Sequence, residues 1–204
     1  MRRVLAALLL VASFVAAPLA ASMWAPVAEK FTPSVVFLEA LNAQGEPQGF
    51  CSGFVINTAK KYILTAAHCD ADKVLVNGTP SYRMFKDARK DLLVLRAANV
   101  EDMPAFKLAS IDPKVGEEVA AIGFGFALEK AMFRISHISI ANLDIEGLSG
   151  PFFVTDAGFM PGQSGGPVIN DKGELVAIVQ RGSDGLGLGV GAEVIKDRVG
   201  RYFE

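Results

Sequence analysis

Ser164 lies in PGQSGGPVIN, residues 161–170, with glycine at 162, 165 and 166 and proline at 161 and 167. A serine hydroxyl is a weak nucleophile. It needs a base to take its proton and donors to hold the charge its attack creates. Glycines around Ser164 let the N–H groups of Gly162 and Ser164 point into one small space without side chains in the way, as an oxyanion requires. On this reading the glycines keep room for a substrate carbonyl. Taken alone, the same run is equally an ordinary glycine turn.

The base must come from two histidines. His68 follows LTAA and precedes Cys69, so a strand end hands it to a loop. His137 alternates with Ile135, Ile138 and Ile140 in FRISHISI, which reads as a structural or solvent-facing strand position. An imidazole acting as base needs a carboxylate to orient it and to stabilise its positive charge. Asp91 stands directly before LLVL, where a buried strand begins and water is excluded. Asp70, Asp72 and Asp87 sit among polar residues and are expected to be exposed.

The elements that must position these groups are short. Beyond residue 33, SVVFLEA, GFCSGFVI, YILTA, KVLV and DLLVL come first. EEVAAIG, FRISHISI, PFFVTD, GPVI, ELVAIV and LGVGAEVI follow. Turn signals at Gln44–Pro47, Asn77-Gly78, Asp112-Pro113 and Asp171–Gly173 separate the runs. Short strands at this spacing predict an all-β sandwich or barrel, and no long helical pattern alternates with them to build βαβ units. One helix is predicted, over AEVIKDRVGRYF at the C-terminus, where Val194, Ile195, Arg198, Val199, Tyr202 and Phe203 recur at helical spacing. A composition shift over residues 108–115 marks the boundary between two β halves of one domain spanning residues 23–204.

Hydrophobic residues make up 51% of the 204-residue chain, enough for a real core, and 20 Lys+Arg nearly balance 22 Asp+Glu. That balance argues against a nucleic-acid partner. Arg83, Lys86, Arg89 and Lys90 are interrupted by Asp87 and read as a solvated face. Residues 1–22 have Arg2-Arg3, an apolar run, then Pro18 and small residues, the pattern of a cleaved secretory signal peptide. The competing reading is an uncleaved anchor over Val4–Ala21. Export to an oxidising compartment makes a disulfide between Cys51 and Cys69 the expected use of the only cysteine pair. Two buried thiols are the alternative. Adjacent His68 and Cys69 with no second cysteine pair make a metal site unexpected. GFGF at 123–126 lacks the third glycine of a dinucleotide fingerprint, so no cofactor is expected.

LTAAHC, DLLVL and GQSGGP, in this order, resemble the three motif blocks of trypsin-like serine proteases of the chymotrypsin fold. GFCSGFVI resembles the strand carrying the partner cysteine of the histidine-loop disulfide. VGEEVAAIGFGF and TDAGFMPGQSGGPVINDKGELVAIV resemble the bacterial HtrA/Deg branch. The likeness runs from about Ser34 to Val199. It implies two six-stranded antiparallel β-barrels with a C-terminal helix and a cleft between the barrels. It further implies His68 as general base and acid, Asp91 as its orienter, Ser164 as nucleophile, and an oxyanion hole of Gly162 and Ser164. Polypeptide substrates follow, with a secreted or periplasmic location and no membrane contact once the leader is removed.

Departures from the family pattern carry their own expectations. Family members activated by trimming place an aspartate before the nucleophile; Gln163 stands there, so no zymogen switch is expected. Gly158 occupies the position of a trypsin's pocket carboxylate, with Gln180, Arg181 and Gly182 along the substrate strand. A small or medium apolar side chain before the scissile bond is therefore expected, with Asp184 a possible intruder on the pocket. The chain stops at the terminal helix, so no PDZ domain is expected, and HtrA-type trimerisation is not readable. An α/β-hydrolase is excluded because no histidine follows Ser164. The remaining alternative is an inactive or self-cleaving protease-fold binding module.

Overall fold

The computed structural model describes residues 22–146, 150–183 and 185–204. The proposed leader, apart from Ser22, and Asp184 lie outside them. Among the described residues no helix is long and apolar enough to cross a membrane.

The described residues open with helix α1 (Trp24–Phe31). Strands β1 (Val35–Leu41), β2 (Pro47–Asn57), β3 (Tyr62–Thr65), β4 (Lys73–Val76), β5 (Thr79–Pro80), β6 (Tyr82–Asp87) and β7 (Leu92–Arg96) form the first lobe. Strands β8 (Glu118–Gly123), β9 (Met132–Leu143), β10 (Phe152–Thr155), β11 (Pro167–Ile169), β12 (Leu175–Ser183) and β13 (Leu186–Gly191) form the second. Helix α2 (Ala192–Val199) follows β13. The second lobe is a closed six-stranded barrel in the order β10-β13-β12-β11-β8-β9. The first is a seven-stranded sheet ordered β5-β4-β1-β2-β3-β7-β6. The all-β two-lobed plan is the expected one, but the first lobe has a seventh strand and stays open between β5 and β6.

Strand periodicity explains the continuous apolar runs. Successive side chains point to opposite faces, and the central strands β3 and β7 of the first lobe are buried on both. Leu92 and Val94 of β7 join Phe54 and Ile56 of β2 in a cluster shared with Ile122 and Ile178 of the barrel. Leu93 and Leu95 instead meet Val36, Leu38 and Ile63 in a cluster of the first lobe. The shared cluster welds the lobes together, and helices α1 and α2 add Trp24, Phe31, Ile195 and Val199 to it.

Helix α1 and strands β5 and β6 were not foreseen. Strand β6 is an edge with mostly exposed residues, so the charged run Arg83–Lys86 carries no alternation toward a core. Helix α1 is eight residues with Pro26 in its first turn, too short for a period to show. It is held by tertiary contacts: Phe31 stacks on Phe106 at 5.1 Å, and the Trp24 indole N–H donates to Glu118. The terminal helix ends at Val199, and a 3₁₀ turn over Gly200–Tyr202 replaces its last predicted turn. The AEVI stretch is helix and not the end of a strand.

Candidate active site

Strand β3 ends at Thr65, and a 3₁₀ turn over Ala67–Cys69 presents His68 at the surface. Cys69 is disulfide-bonded to Cys51 of β2, so the turn is tied to the neighbouring strand. The cysteine sulfurs and a His68 ring nitrogen lie within 4.8 Å of one another, but sulfurs joined to each other are not metal ligands. Asp91 directly precedes β7 and has a left-handed backbone conformation, φ 54°, which aspartate tolerates better than most residues. Its carboxylate meets His68 twice. The His68 backbone N–H donates to Oδ1 at 2.8 Å, and the ring Nδ1 lies 2.7 Å from Oδ2. With Nδ1 donating to the carboxylate, Nε2 is left as the free acceptor.

His137 and Asp156 repeat this two-point contact on the barrel, at 2.8 and 3.0 Å. The backbone N–H of His137 holds the Asp156 carboxyl below the usual carboxylate range, and the His137 side chain adds to it. Both are exposed, as expected of His137. Asp91, in contrast, is 7% exposed. Burial separates the two pairs, since water screens the outer one.

Asp70 and Asp87 are not the exposed residues their neighbourhoods suggested. The Asp70 side chain is 5% exposed, held by Arg83 at 2.6 Å and Lys86 at 2.9 Å. Asp87 is also buried, and its Oδ1 accepts from the N–H groups of Arg89 and Lys90 at 3.0 and 3.1 Å. These bonds order the turn that delivers Asp91. Such arrangements require cations from β6 and α2 that local composition does not reveal.

Ser164 lies in the loop before β11. Its hydroxyl donates to the Gln180 carbonyl at 3.2 Å. Four successive peptide carbonyls in this loop are held: Pro161 O by Phe126 N–H at 2.7 Å, Gly162 O by the Ser52 hydroxyl at 2.8 Å, Gln163 O by Gly166 N–H at 2.9 Å, and Ser164 O by Ser52 N–H at 2.8 Å. Gln163 and Gly165 also spend their N–H groups, on Met160 O at 2.9 Å and Val179 O at 2.7 Å. Among the described residues no backbone acceptor pairs with the N–H of Gly162 or Ser164. Each of these two lies in a peptide plane whose carbonyl is fixed, so its direction is fixed as well.

The glycines around Ser164 do a different job from the one expected. A Cβ at Gly162 would stand 2.3 Å from Phe124 O and 2.4 Å from the Phe50 ring. At Gly165 it would stand 2.1 Å from Thr65 Oγ1 and 2.4 Å from Ser52 O. These neighbours are protein atoms, not open cleft. The glycines let the loop lie against the first lobe and supply φ of 94° and 79°, where side chains are strained.

The four expected specificity positions divide. Gly158 O accepts from Arg134, and a Cβ on Gly158 would approach Gly185 Cα at 3.2 Å. Gly182 pairs with Gly187 across the β12–β13 hairpin. Phe159 fills that gap: its backbone N is 2.5 Å from a Cβ position at Gly182, and its ring edge 2.7 Å from one at Gly187. Gln180 is buried and presents its carbonyl to Ser164, whereas Arg181 is exposed. Phe159 directly follows Gly158 in the sequence, whereas Ser52 and Thr65 lie far from the serine loop along the chain. Ser52 did carry a signal, as a hydroxyl inside the otherwise apolar GFCSGFVI.

The trypsin-like peptidase domain family matches residues 51–178. The periplasmic serine endoprotease DegP of Salmonella typhimurium is 30% identical over 179 residues, 78% of this chain and 38% of that protein. A probable periplasmic serine endoprotease, DegP-like, of Pseudomonas fluorescens is 39% identical over 147 residues, 66% of this chain and 30% of the relative. The chain spans about a third of the length of the curated relatives it matches. Among solved structures, the HtrA-type protease AlgW with tripeptide superimposes with a TM-score of 0.77 at 25% identity, covering 89% of this chain and 64% of the other. The serine endoprotease from Yersinia pestis gives 0.73 at 24% identity, covering 87% and 65%.

Proposed function

Since this chain belongs to the trypsin-like peptidase family, we propose that it is a serine endopeptidase acting on polypeptides through an acyl-enzyme. The observation that carries the reading is the two-point contact of buried Asp91 with His68. In the first step the Ser164 hydroxyl leaves the Gln180 carbonyl, turns toward the imidazole and attacks the substrate carbonyl carbon. His68 Nε2 takes the hydroxyl proton, and the Asp91 carboxylate stabilises the imidazolium. The N–H groups of Gly162 and Ser164 receive the oxyanion. His68 then returns the proton to the leaving amine, and water, activated by the same imidazole, releases the acyl group.

A small or medium apolar side chain precedes the scissile bond. Gly158 offers no carboxylate, and Phe159 packs against Gly182 and Gly187, which on this reading limits the room for a long side chain. No trimming is needed for activity: the Gln163 Oε1 already accepts from Met160 N–H at 2.9 Å, which braces the loop from within. The disulfide and the relatives' periplasmic naming support a secreted or periplasmic site of action, with residues 1–22 as the leader.

A second reading, an inactive protease-fold binding module, draws on the Ser164 hydroxyl being engaged with Gln180. A fluorophosphonate probe at pH 8 separates the two. Labelling of wild type and not of Ser164→Ala supports the peptidase. A wild type left unlabelled favours the module. Cleavage profiling on a peptide library, before and after nicking by trypsin, tests the rest: dominance of basic residues before the cut, or a large gain on nicking, would overturn those parts.

A further inference from the structure

Ser52 takes no part in the proposed chemistry, yet it is fully buried and each of its polar atoms is engaged. Its hydroxyl donates to Gly162 O and accepts from Phe124 N–H, both at 2.8 Å. Its N–H donates to Ser164 O at 2.8 Å, and its carbonyl accepts from Thr65 Oγ1 at 2.7 Å. Ser52 belongs to β2 of the first lobe, whereas Phe124, Gly162 and Ser164 belong to the second. One residue thus reaches across the lobe interface and grips the same loop at two alternate carbonyls.

We propose that Ser52 is the positioning residue for the oxyanion donors, a strut from the first lobe that keeps the N–H groups of Gly162 and Ser164 convergent. The inference rests on the peptidase reading and adds a residue to it. The Ser164 N–H lies in the peptide plane between the two that Ser52 holds. The Gly162 N–H lies in the plane just before the first of them. Releasing the Gly162 carbonyl leaves that peptide plane held only at its other end, by the Gln163 N–H on Met160 O, so it can tilt about residue 162, where a glycine offers no resistance of its own. Phe124 N–H loses its acceptor in the same event, which loosens the segment whose Phe126 N–H holds Pro161 O. Donors that must meet a developing charge lose most of their effect when misplaced by about 1 Å.

Ser52→Ala removes the hydroxyl and keeps the N–H bond. Full-length Ser52→Ala is expected to lose about 100-fold in kcat, with KM within about twofold. Affinity for a peptide aldehyde, which forms a tetrahedral adduct on Ser164, falls with kcat. Binding of the parent peptide to Ser164→Ala and to Ser52→Ala/Ser164→Ala stays equal. Amide hydrogen exchange over residues 160–164 and at Phe124 rises, while that of β3 and β7 does not. Ser52→Cys, close in size and a weaker donor, falls between wild type and Ser52→Ala on each scale, and serves if the alanine variant does not fold. Unchanged kcat and aldehyde affinity overturn the proposal, whether or not exchange rises. A wild type that takes no fluorophosphonate and cuts nothing overturns the peptidase reading instead. Exchange then judges the strut: unchanged protection at residues 160–164 overturns it, and faster exchange supports it.

Discussion

Asp87 and Arg198 meet in a fork although 111 residues separate them: Nε and Nη2 both lie 2.7 Å from Oδ2. The contact fastens α2 to the end of β6. The opposite oxygen of Asp87 caps the turn that leads to Asp91. A residue of the terminal helix therefore braces the approach to the proposed site.

Arg198→Met should lower stability by about 1–3 kcal/mol, because a buried carboxylate loses its charged partner. The effect should depend on pH. Burial works to raise the Asp87 pKa, but the Lys90 N–H, the Arg198 guanidinium and the Arg89 N–H together hold it below the ordinary value. A depressed folded-state pKa stabilises above the unfolded value, about 3.9, and that contribution fades as pH falls through the folded value. Urea melts of the two proteins should differ most near neutrality and converge below about pH 4. A constant gap across that range would contradict the linkage.

Asp91→Asn should fold, since asparagine also accepts the left-handed conformation at φ 54°. On the proposed mechanism kcat should drop about 10⁴-fold, because the amide presents the wrong hydrogen-bonding pattern to Nδ1. Circular dichroism with steady-state kinetics on one peptide decides it. Near-normal turnover would remove Asp91 from the mechanism.

Replacing both Cys51 and Cys69 by alanine opens a link spanning 18 residues. About 3 kcal/mol of stability should be lost, the value expected from chain entropy for a loop of that order. Activity should fall by more than the unfolded fraction explains, because the same link ties down the turn bearing His68. Comparing kcat per folded molecule with the denaturation midpoint separates the two effects.

Phe159→Ala should widen the pocket between β12 and β13. Cleavage after Leu or Phe should rise about tenfold relative to cleavage after Ala, the scale on which one or two methylenes discriminate in a pocket. Library profiling reads the shift directly. An unchanged profile would mean that Phe159 lies outside the pocket.

Much of this protein is legible without coordinates because its signals are local. Apolar runs broken by turn residues state that it is all-β. The three motif blocks in order, with the cysteine pair, point to the family. Gly162 and Gly165 advertise unusual backbone in the serine loop. What those glycines accommodate is not local: Phe50, Ser52 and Thr65 come from strands of the first lobe, and Phe124 from the segment after β8. The same holds for buried Asp70 and Asp87, whose partners lie on β6 and α2, and for helix α1, whose eight residues are kept helical by packing.

Sequence alone determined which residue types were on hand and in what order, because composition, alternation and turn chemistry are properties of neighbours along the chain. The tertiary structure decided which carboxylate faces His68, which side chain packs against Gly182 and Gly187, and which serine grips the loop of the other. Those outcomes depend on strand pairing and on the approach of two lobes, where residues more than 100 positions apart share a hydrogen bond. No short stretch of chain carries that distance.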